Sequence, residues 1–299
     1  MEQDRAVAHR LDYRNPRRPR LGVEALTLAE IRSRVSMATF RAPQRLAFHQ
    51  IILITSGTGK AQFDFIGYPC AVGTLFHARP GQVSKLPDGD DPALDGRVIL
   101  FTEEFLPSLA TASDLINDRY GQVNWLLDPT THHEIDRAIA LFDETYRTAS
   151  DSVRHAERLA HHLAAVILRI ADLPRPDREK ILTSGGETYQ HFERAVEEGF
   201  AERRTVEDYA AQLGYSVRTL ARATESAVGR TPKQVLDDRV LLEAKRLLVE
   251  TDHTVAAVGR RLGFHDSATF GKFFLRRTTM TPTAFRYAHT KTAMSTTKL

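Results

Sequence analysis

Two arginines four residues apart, Arg218 and Arg222, carry the most specific chemistry that the sequence offers. Side chains at positions i and i+4 of a helix share one face, so both guanidinium groups would point in the same direction. A guanidinium can donate two hydrogen bonds at once to O6 and N7 of guanine in the major groove of DNA. The alternative is that both arginines are simply solvated on an exposed helix. The segment that holds them decides between these interpretations.

That segment occurs twice in the chain. It reads "LGYSVRTLARATESAVGRTP" over residues 213–232 and "LGFHDSATFGKFFLRRTTMTP" over residues 262–282. In each copy Leu-Gly ends a short amphipathic stretch, and an aromatic residue follows in the turn. Glycine at the end of a helix is free to take the left-handed backbone conformation. The repetition predicts two copies of one supersecondary unit.

Each copy has the pattern of a helix-turn-helix. Ser216 in the first copy, and Asp266 or Ser267 in the second, can cap the helix that follows the turn. That helix would bury Leu220 in the first copy and Phe270 in the second, leaving its polar side chains outward. In this motif the outward face of the second helix enters the major groove of DNA.

The connecting segment, residues 231–251, is predicted to be a single helix. Pro232 stands at a helix start, and apolar residues recur on one side at Leu236, Val240, Ala244, Leu247 and Leu248. A helix of about 20 residues is ~30 Å long. That length is close to one DNA turn of ~34 Å, so the helix could hold two recognition helices at consecutive major-groove faces.

The residues expected to contact DNA lie on the two recognition helices. They are Ser216, Val217, Arg218, Thr219, Ala221 and Arg222 in the first unit, and Ser267, Ala268, Thr269, Lys272, Arg276 and Arg277 in the second. Ala268 stands where the first unit has Arg218, and alanine could meet only a thymine methyl group. We therefore expect the first unit to discriminate bases and the second to hold phosphates through its three basic residues. A solvated basic face is the alternative for those three.

Composition agrees with a nucleic-acid partner and excludes several other classes of protein. The chain has 299 residues, 42% of them hydrophobic and 26% charged, as in ordinary soluble globular proteins. From Arg203 onwards lysine and arginine outnumber aspartate and glutamate by 17 to 9, which suits a polyanion, although a solvated surface gives the same signal. The single Cys70 excludes an internal disulfide framework and a multi-cysteine zinc site. Without a membrane-spanning run or a secretory signal, we expect a cytoplasmic protein that has no membrane partner.

The composition of the sequence and the spacing of its apolar residues change along the chain, and these changes predict five segments. Residues 1–20 read as a basic mobile arm, and residues 21–128 show short strands separated by glycine-rich turns, including the alternating stretch "KAQFDFI". Residues 129–173 show two helical stripes of apolar side chains. Residues 174–187 contain prolines and glycines typical of a linker, and residues 188–290 read as helical throughout.

Residues from about 190 to 288 resemble the DNA-binding domain of AraC/XylS-type transcription regulators. The resemblance is carried by "LGYSVRTLAR", "GRTPKQVLDDRVLLEAKRLL", "VAAVGRRLGFHDSATFGKFF" and "TPTAFR". In that family the base-contacting places correspond to Arg218, Ala221 and Arg222. The family has glycine where this sequence has Thr279, so a left-handed backbone there would cost about 1 kcal/mol or more.

The N-terminal two-thirds resembles the family's sensor region, through "GTLFHARPGQV". The resemblance implies an α+β protein, with an N-terminal cupin-like β-barrel, a helical dimerisation segment and a C-terminal all-α double helix-turn-helix domain. It also implies a homodimer that binds double-stranded promoter DNA, responds to a small-molecule effector, and activates transcription through RNA polymerase. The alternative is a DNA-binding regulator whose barrel is only a dimerisation or interaction module without a ligand.

An effector pocket would draw on aromatic and histidine side chains of the barrel. The candidates are His49, Phe63, Phe65, Tyr68, Phe76 and His77, which could line an apolar cavity with a few polar groups. Each could equally be plain core or strand surface. Both faces of the strand "HQIILIT" are mostly apolar, so alternation does not tell which face points inward.

Catalysis is the third interpretation, because barrels of this kind also form metal enzymes. A metal site needs several imidazoles and a carboxylate around one ion. Here the barrel offers only isolated histidines, and His132–His133 and His161–His162 are adjacent pairs that would point to different sides of a helix. We therefore predict no enzyme, no catalytic residue, no metal site and no cofactor.

Overall fold

The computed structural model describes residues 10–11, 15, 18, 21–106, 109–112, 115–116, 121–148, 152–174 and 186–290. The predicted basic arm and the predicted linker lie almost entirely outside these residues. Contacts divide the described chain into two compact parts, an N-terminal part within residues 8–173 and a C-terminal part within residues 174–291.

The N-terminal part is built on two five-stranded sheets. The first has the order β1-β3-β8-β5-β6 and the second the order β10-β7-β4-β9-β2, and all neighbours are antiparallel except β1 and β3. The strands are β1 (Arg10–Leu11), β2 (Val23–Thr27), β3 (Gln44–Leu46), β4 (His49–Ser56), β5 (Gly59–Phe63), β6 (Ile66–Cys70), β7 (Thr74–Ala78), β8 (Val83–Asp88), β9 (Asp95–Phe101) and β10 (Asn124–Leu126).

The second sheet is covered on both faces, which explains why its central strand β4 is apolar on both sides. Ile52 and Ile54 face the first sheet and pack in the core between the two sheets. Ile51 and Leu53 face the opposite way, into a core shared with helices. A strand buried on both faces reads as a continuous hydrophobic run, so alternation could not reveal a single inward face.

The α-helices with described bounds that accompany the sheets are α1 (Leu28–Arg34), α2 (Met37–Arg41), α3 (Pro129–Arg147) and α4 (Val153–Ala171). Asp128 caps α3 and Ser152 caps α4 through hydrogen bonds accepted from backbone N–H groups. The two predicted apolar stripes are confirmed, because Ile135, Ile139, Phe142, Leu159, Leu163, Val166, Ile167 and Ile170 are all buried against the second sheet.

The alternating stretch "KAQFDFI" is interrupted, contrary to its interpretation as one strand. β5 ends at Phe63, and a hairpin leads into β6 through Asp64 and Phe65, whose φ values are 48° and 71°. Two-residue hairpin turns take positive φ at both positions, where aspartate is tolerated. The Asp64 carboxylate accepts hydrogen bonds from the backbone N–H of Val83 at 3.0 Å and from the amide of Gln82 at 3.0 Å, which fixes the turn.

The C-terminal part contains seven described helices. They are α5 (Gly186–Gly199), α6 (Val206–Leu213), α7 (Val217–Val228), α8 (Pro232–Glu250), α9 (Val255–Arg261), α10 (Ser267–Thr278) and α11 (Pro282–Thr290). The predicted fold class, a sheet-rich domain with helices followed by a helical domain, is confirmed. In the described part of the chain, no helix is long and apolar enough to cross a bilayer.

Candidate nucleic-acid interface

The first helix-turn-helix unit consists of α6 and α7. α6 ends at Gly214, which has a φ of 70° in the left-handed region. The Ser216 hydroxyl then accepts a hydrogen bond from the backbone N–H of Thr219 at 3.0 Å, so the predicted cap of α7 is confirmed. Leu220 is fully buried, as the pattern requires. Because this side of α7 is anchored in the core, the opposite side faces solvent.

The second unit consists of α9 and α10 and has the same design. Asp266 is the cap: its carboxylate accepts from the backbone N–H of Thr269 at 2.7 Å, and this hydrogen bond holds the pKa of Asp266 below its ordinary value. Ser267 is therefore the first residue of α10 and not its cap. A Cβ atom at Gly259 of α9 would lie 3.0 Å from Cβ of Phe270, so glycine permits the close approach of the two helices.

The end of α10 adopts the strained conformation that the sequence suggested. Thr279 has a φ of 61° and occupies the place that Gly229, with a φ of 64°, takes after α7. The left-handed region disfavours a β-branched residue. The second unit therefore carries a local backbone cost that the first does not.

The predicted DNA-contacting residues are distributed over the solvent side of both recognition helices. Those classed as exposed are Ser216, Val217, Arg218, Arg222, Ser267, Ala268, Thr269, Lys272 and Arg276, while Thr219 and Ala221 are half-buried. Within the described residues, no hydrogen bond or ion pair engages the guanidinium of Arg218 or Arg222. These two groups are therefore available to a ligand.

Arg277 is the exception among the predicted contacts. Its Nη2 donates to Asp237 at 2.7 Å and its Nη1 donates to Asp238 at 3.2 Å, both on α8. Its side chain is only 20% exposed. The guanidinium is thus directed at two carboxylates of its own domain, and sequence reasoning had no local pattern that could reveal this pairing.

The connecting helix α8 has 19 residues and is therefore about 28 Å long. Thr231 and Gln234 form a capping box at its start. The helix buries more than the expected apolar stripe, since charged residues are buried on it as well. Arg239, for example, donates to Glu197 of α5 at 2.7 Å and lies 3.6 Å from the centre of the Phe200 ring.

The six predicted effector residues do not come together, because the second sheet separates them. Phe63, Tyr68 and Phe76 form an aromatic cluster between the two sheets, with ring centres 5.1 to 6.4 Å apart. His49 and His77 belong to the opposite face of the sheet, where their nitrogens Nδ1 and Nε2 lie 3.3 Å apart. Phe65 is the second residue of the turn between β5 and β6.

The histidine pair is part of the core on the helix-covered side. Both side chains are fully buried, and the His49 ring stacks on Phe101 with centres 4.7 Å apart. Burial, together with the positive charge of Arg79 and the neighbouring His49, lowers the pKa of His77 well below its usual value. His77 is therefore neutral near pH 7.

Comparisons with known proteins match both parts of the chain. The family model described as an AraC-like ligand binding domain matches residues 29–172, and a helix-turn-helix domain model matches residues 209–288. The transcriptional activator RhaS of Salmonella schwarzengrund is 26% identical over 242 residues, which are 80% of this chain and 85% of that protein.

The chain belongs to the AraC/XylS-type transcription regulators. Among solved structures, ToxT of Vibrio cholerae O395 resembles this regulator with 13% identity over 82% of this chain and 90% of that chain, at a TM-score of 0.43. The C-terminal domain of the response regulator yesN of Fusobacterium nucleatum shows 21% identity over 33% of this chain and 98% of that chain, at a TM-score of 0.32.

The ligand-binding domain of this regulator contains a polar pair that the predicted effector set omitted. Gln50 of β4 and Ser84 of β8 face each other between the sheets, and the Ser84 hydroxyl donates to the Gln50 carbonyl oxygen at 3.1 Å. Both residues are buried. Alternation along β4 puts Gln50 on the same face as Ile52 and Ile54, but only the structure shows that this face packs between the sheets.

Proposed function

We propose that this regulator is a sequence-specific transcriptional activator that binds promoter DNA through α7 and α10. The observation that carries the proposal is the pair of uncommitted guanidinium groups of Arg218 and Arg222 on the solvent side of α7. Their placement one helical turn apart suits bidentate recognition of guanine. Ala221 on the same helix is half-buried and has no side-chain atom beyond Cβ that could obstruct a base edge.

The second unit is proposed to hold the DNA backbone more than to read its sequence. At the front of α10 Ala268 offers no hydrogen bond, and the Thr269 hydroxyl already donates to Asp266 at 2.8 Å. Lys272 and Arg276 are exposed and suit phosphate, whose recognition carries no base preference. Arg277 is removed from the predicted phosphate contacts, because its Nη1 and Nη2 atoms are engaged by the carboxylates of Asp238 and Asp237.

The test is selection of duplexes from a random DNA pool with the full-length protein, followed by titration in increasing salt. We expect enrichment of one sequence, a specific affinity at least about a thousand-fold above that for unrelated DNA, and a steep fall of affinity with salt. Selection that enriches no sequence would remove sequence-specific binding from the proposal.

The effector site is proposed to lie between the two sheets. Phe63, Tyr68 and Phe76 supply an aromatic surface, and the Gln50–Ser84 pair supplies a donor and an acceptor inside the same core. This combination suits a small molecule with a flat or aliphatic body and one hydroxyl or carbonyl group. The effector would favour one arrangement of the two DNA-binding domains of a dimer over another.

A thermal-shift screen of small metabolites tests this site. A ligand at 100 times its Kd should stabilise the folded protein by about 2.7 kcal/mol, and Gln50→Leu should weaken that shift while leaving the unliganded protein folded. A ligand whose effect is untouched by Gln50→Leu binds elsewhere. A screen without any stabilising compound favours the alternative, in which the barrel serves dimerisation alone.

Helix α3 offers the surface proposed for the homodimer. A groove on its outer side is lined by Glu134, Arg137, Ala138, Ala140, Leu141 and Glu144, together with Arg169 of α4. Leu141 is 49% exposed and contributes apolar surface to the groove. The lining also contains both acidic and basic side chains, so the surface can complement a second copy across a two-fold axis. Sedimentation analysis should show a dimer that Leu141→Asp dissociates and that Val153→Asp, at an exposed position outside the groove, does not.

Activation, as opposed to repression, is supported by the similarity to RhaS of Salmonella schwarzengrund, which is a transcriptional activator. We propose that the DNA-bound regulator contacts RNA polymerase and has no catalytic role. Transcription in vitro from a promoter that carries the selected sequence should increase when the protein is added. A decrease would assign it to repression.

A further inference from the structure

Five charged side chains form non-covalent contacts between the two helix-turn-helix units, in addition to the covalent connection that helix α8 provides. Three lie on α8, one precedes α6, and one lies at the end of α10. We term this set the interunit clamp: Arg204, Lys233, Asp237, Asp238 and Arg277.

The centre of the interunit clamp is the carboxylate of Asp237, whose side chain is only 5% exposed. It accepts hydrogen bonds from Nη2 of Arg277 at 2.7 Å and from Nζ of Lys233 at 2.8 Å. Nη1 of Arg277 reaches Asp238, which also pairs with Arg230 in the loop after α7. A buried carboxylate needs such partners, because an unpaired buried charge is costly. The C-terminal end of α10 is therefore held to the first turns of α8, where the first unit ends.

A second contact fixes the turn before α10. The Arg204 guanidinium lies 4.2 Å from the centre of the Phe264 ring and donates to the carbonyl oxygen of Leu262 at 3.3 Å. A Cβ atom at Gly263, which has a φ of 78°, would stand 2.5 Å from the carbonyl oxygen of Ala201. Only glycine therefore lets this turn lie so close to the loop that leads into α6. Nζ of Lys233 also donates to the carbonyl oxygen of Arg204 at 3.4 Å, which joins the two contacts.

These contacts restrain α10 at both ends, in addition to its covalent connection through α8. A body attached at three places has little freedom to rotate. On DNA, one base pair changes the separation of two sites by about 3.4 Å and their relative rotation by about 34°. We propose that the interunit clamp makes this regulator selective for the number of base pairs between the sites bound by α7 and α10. Arg277 is then a positioning residue, and the inference rests on the proposed DNA binding.

The first experiment measures binding of the full-length protein to the selected duplex and to the same duplex with one base pair inserted between the two contacted sites. The wild-type protein should lose about 100-fold in affinity on insertion, since a rigid pair of units then engages only one site. Arg277→Gln and Asp237→Asn should reduce that penalty to less than about 5-fold and weaken binding to the original duplex by roughly 10-fold.

The matched control is Arg276→Gln, the same change at the neighbouring exposed arginine. It removes one phosphate contact of α10 and leaves the interunit clamp intact, so it should weaken binding to the original duplex and keep an insertion penalty well above that of Arg277→Gln. Circular dichroism identifies variants that remain folded, and a folded Arg277→Gln suffices if Asp237→Asn does not fold. An unchanged insertion penalty in folded Arg277→Gln overturns the spacing inference.

A second experiment requires no DNA. Spin labels at Glu225→Cys on α7 and Leu275→Cys on α10 report the distance between the recognition helices, and the native Cys70 is buried. The distance distribution should broaden in Arg277→Gln and stay narrow in Arg276→Gln. Equal distributions in both would overturn the interunit clamp even if DNA binding is verified. A wild-type protein that selects no DNA sequence would overturn the proposed function, and the label distances would still decide whether the clamp exists.

Discussion

The two helix-turn-helix units share a backbone plan and differ in the side chains that they place on it. Both have a short first helix, a glycine turn, a side-chain cap and a buried residue at the equivalent place in the second helix. On the solvent side, Arg218 and Arg222 of α7 correspond to Ala268 and Lys272 of α10. The comparison teaches that backbone repetition specifies a docking shape, whereas the individual residues specify what is recognised.

The cores of the two units differ as much as their surfaces. Where α7 buries Ala223 and Thr224, α10 buries Phe273 and Phe274 at the equivalent places. Beside the small Ala223 of the first unit the core is filled by helix α5, whose Tyr189 packs with Ala223. In the second unit the rings of Phe273 and Phe274 fill the equivalent part of the core. We therefore expect the second unit to depend more strongly on single side chains.

The largest expected effect tests this difference in the cores. Phe274→Ala should destabilise α10 by about 3–5 kcal/mol, because a fully buried ring leaves a cavity. Thr224→Ala at the equivalent place in α7 should cost about 1 kcal/mol, since it removes a methyl group and one hydrogen bond. Amide hydrogen exchange of each helix in the full-length protein measures both. Equal losses of protection in the two variants would show that both units depend to the same degree on the side chain buried at this place.

A smaller effect is expected for the proposed division of labour on DNA. Arg222→Ala should cost about 1–3 kcal/mol on the selected duplex and relax base preference at one position, whereas Lys272→Ala should weaken all duplexes alike and reduce the salt dependence. Binding titrations against a panel of single-base variants separate these outcomes. The same loss of discrimination from both substitutions would reject the division.

The ends of the recognition helices provide a reciprocal pair of substitutions. Thr279→Gly should stabilise the second unit by about 1 kcal/mol, because it relieves a left-handed threonine. Gly229→Ala should destabilise the first unit by a similar amount. A Cβ atom there meets nothing within 4 Å, so the cost is purely one of backbone conformation. Amide exchange of α7 and α10 reports both. Destabilisation by Thr279→Gly would mean that its hydroxyl, which donates to the carbonyl of Thr278, outweighs the strain.

Local patterns explain which features could be predicted from the sequence. The caps, the glycine turns and the buried Leu220 and Phe270 each depend on residues a few positions apart, and the repeated sequence segment reveals them. The Asp237–Arg277 pair joins residues 40 positions apart, and no periodicity marks such a contact. Only the packing of α10 against α8 brings these two side chains together.

The effector site shows a different limit of what can be predicted from the sequence. Phe76 and His77 are neighbours on one strand and therefore point to opposite faces of the sheet, so the two could never have lined one cavity. That conclusion was accessible from the sequence. The choice of face was not, because both faces of the second sheet are buried, one against the first sheet and the other against α3 and α4.

The smallest expected effect uses the chemical difference between the two caps. The pKa of Asp266 is lowered in the folded protein by hydrogen bonds from the backbone N–H and the hydroxyl of Thr269. Its stabilising contribution is therefore present above the unfolded pKa of about 3.9 and is lost as the pH falls towards the folded pKa. Ser216, the cap of α7, does not titrate. Amide exchange between pH 6 and pH 3, corrected for intrinsic rates, should show fraying of the first turn of α10 and none of the first turn of α7. In Asp266→Ser the two helices should respond alike, and fraying of α10 that persists in this variant would assign the pH dependence to another group.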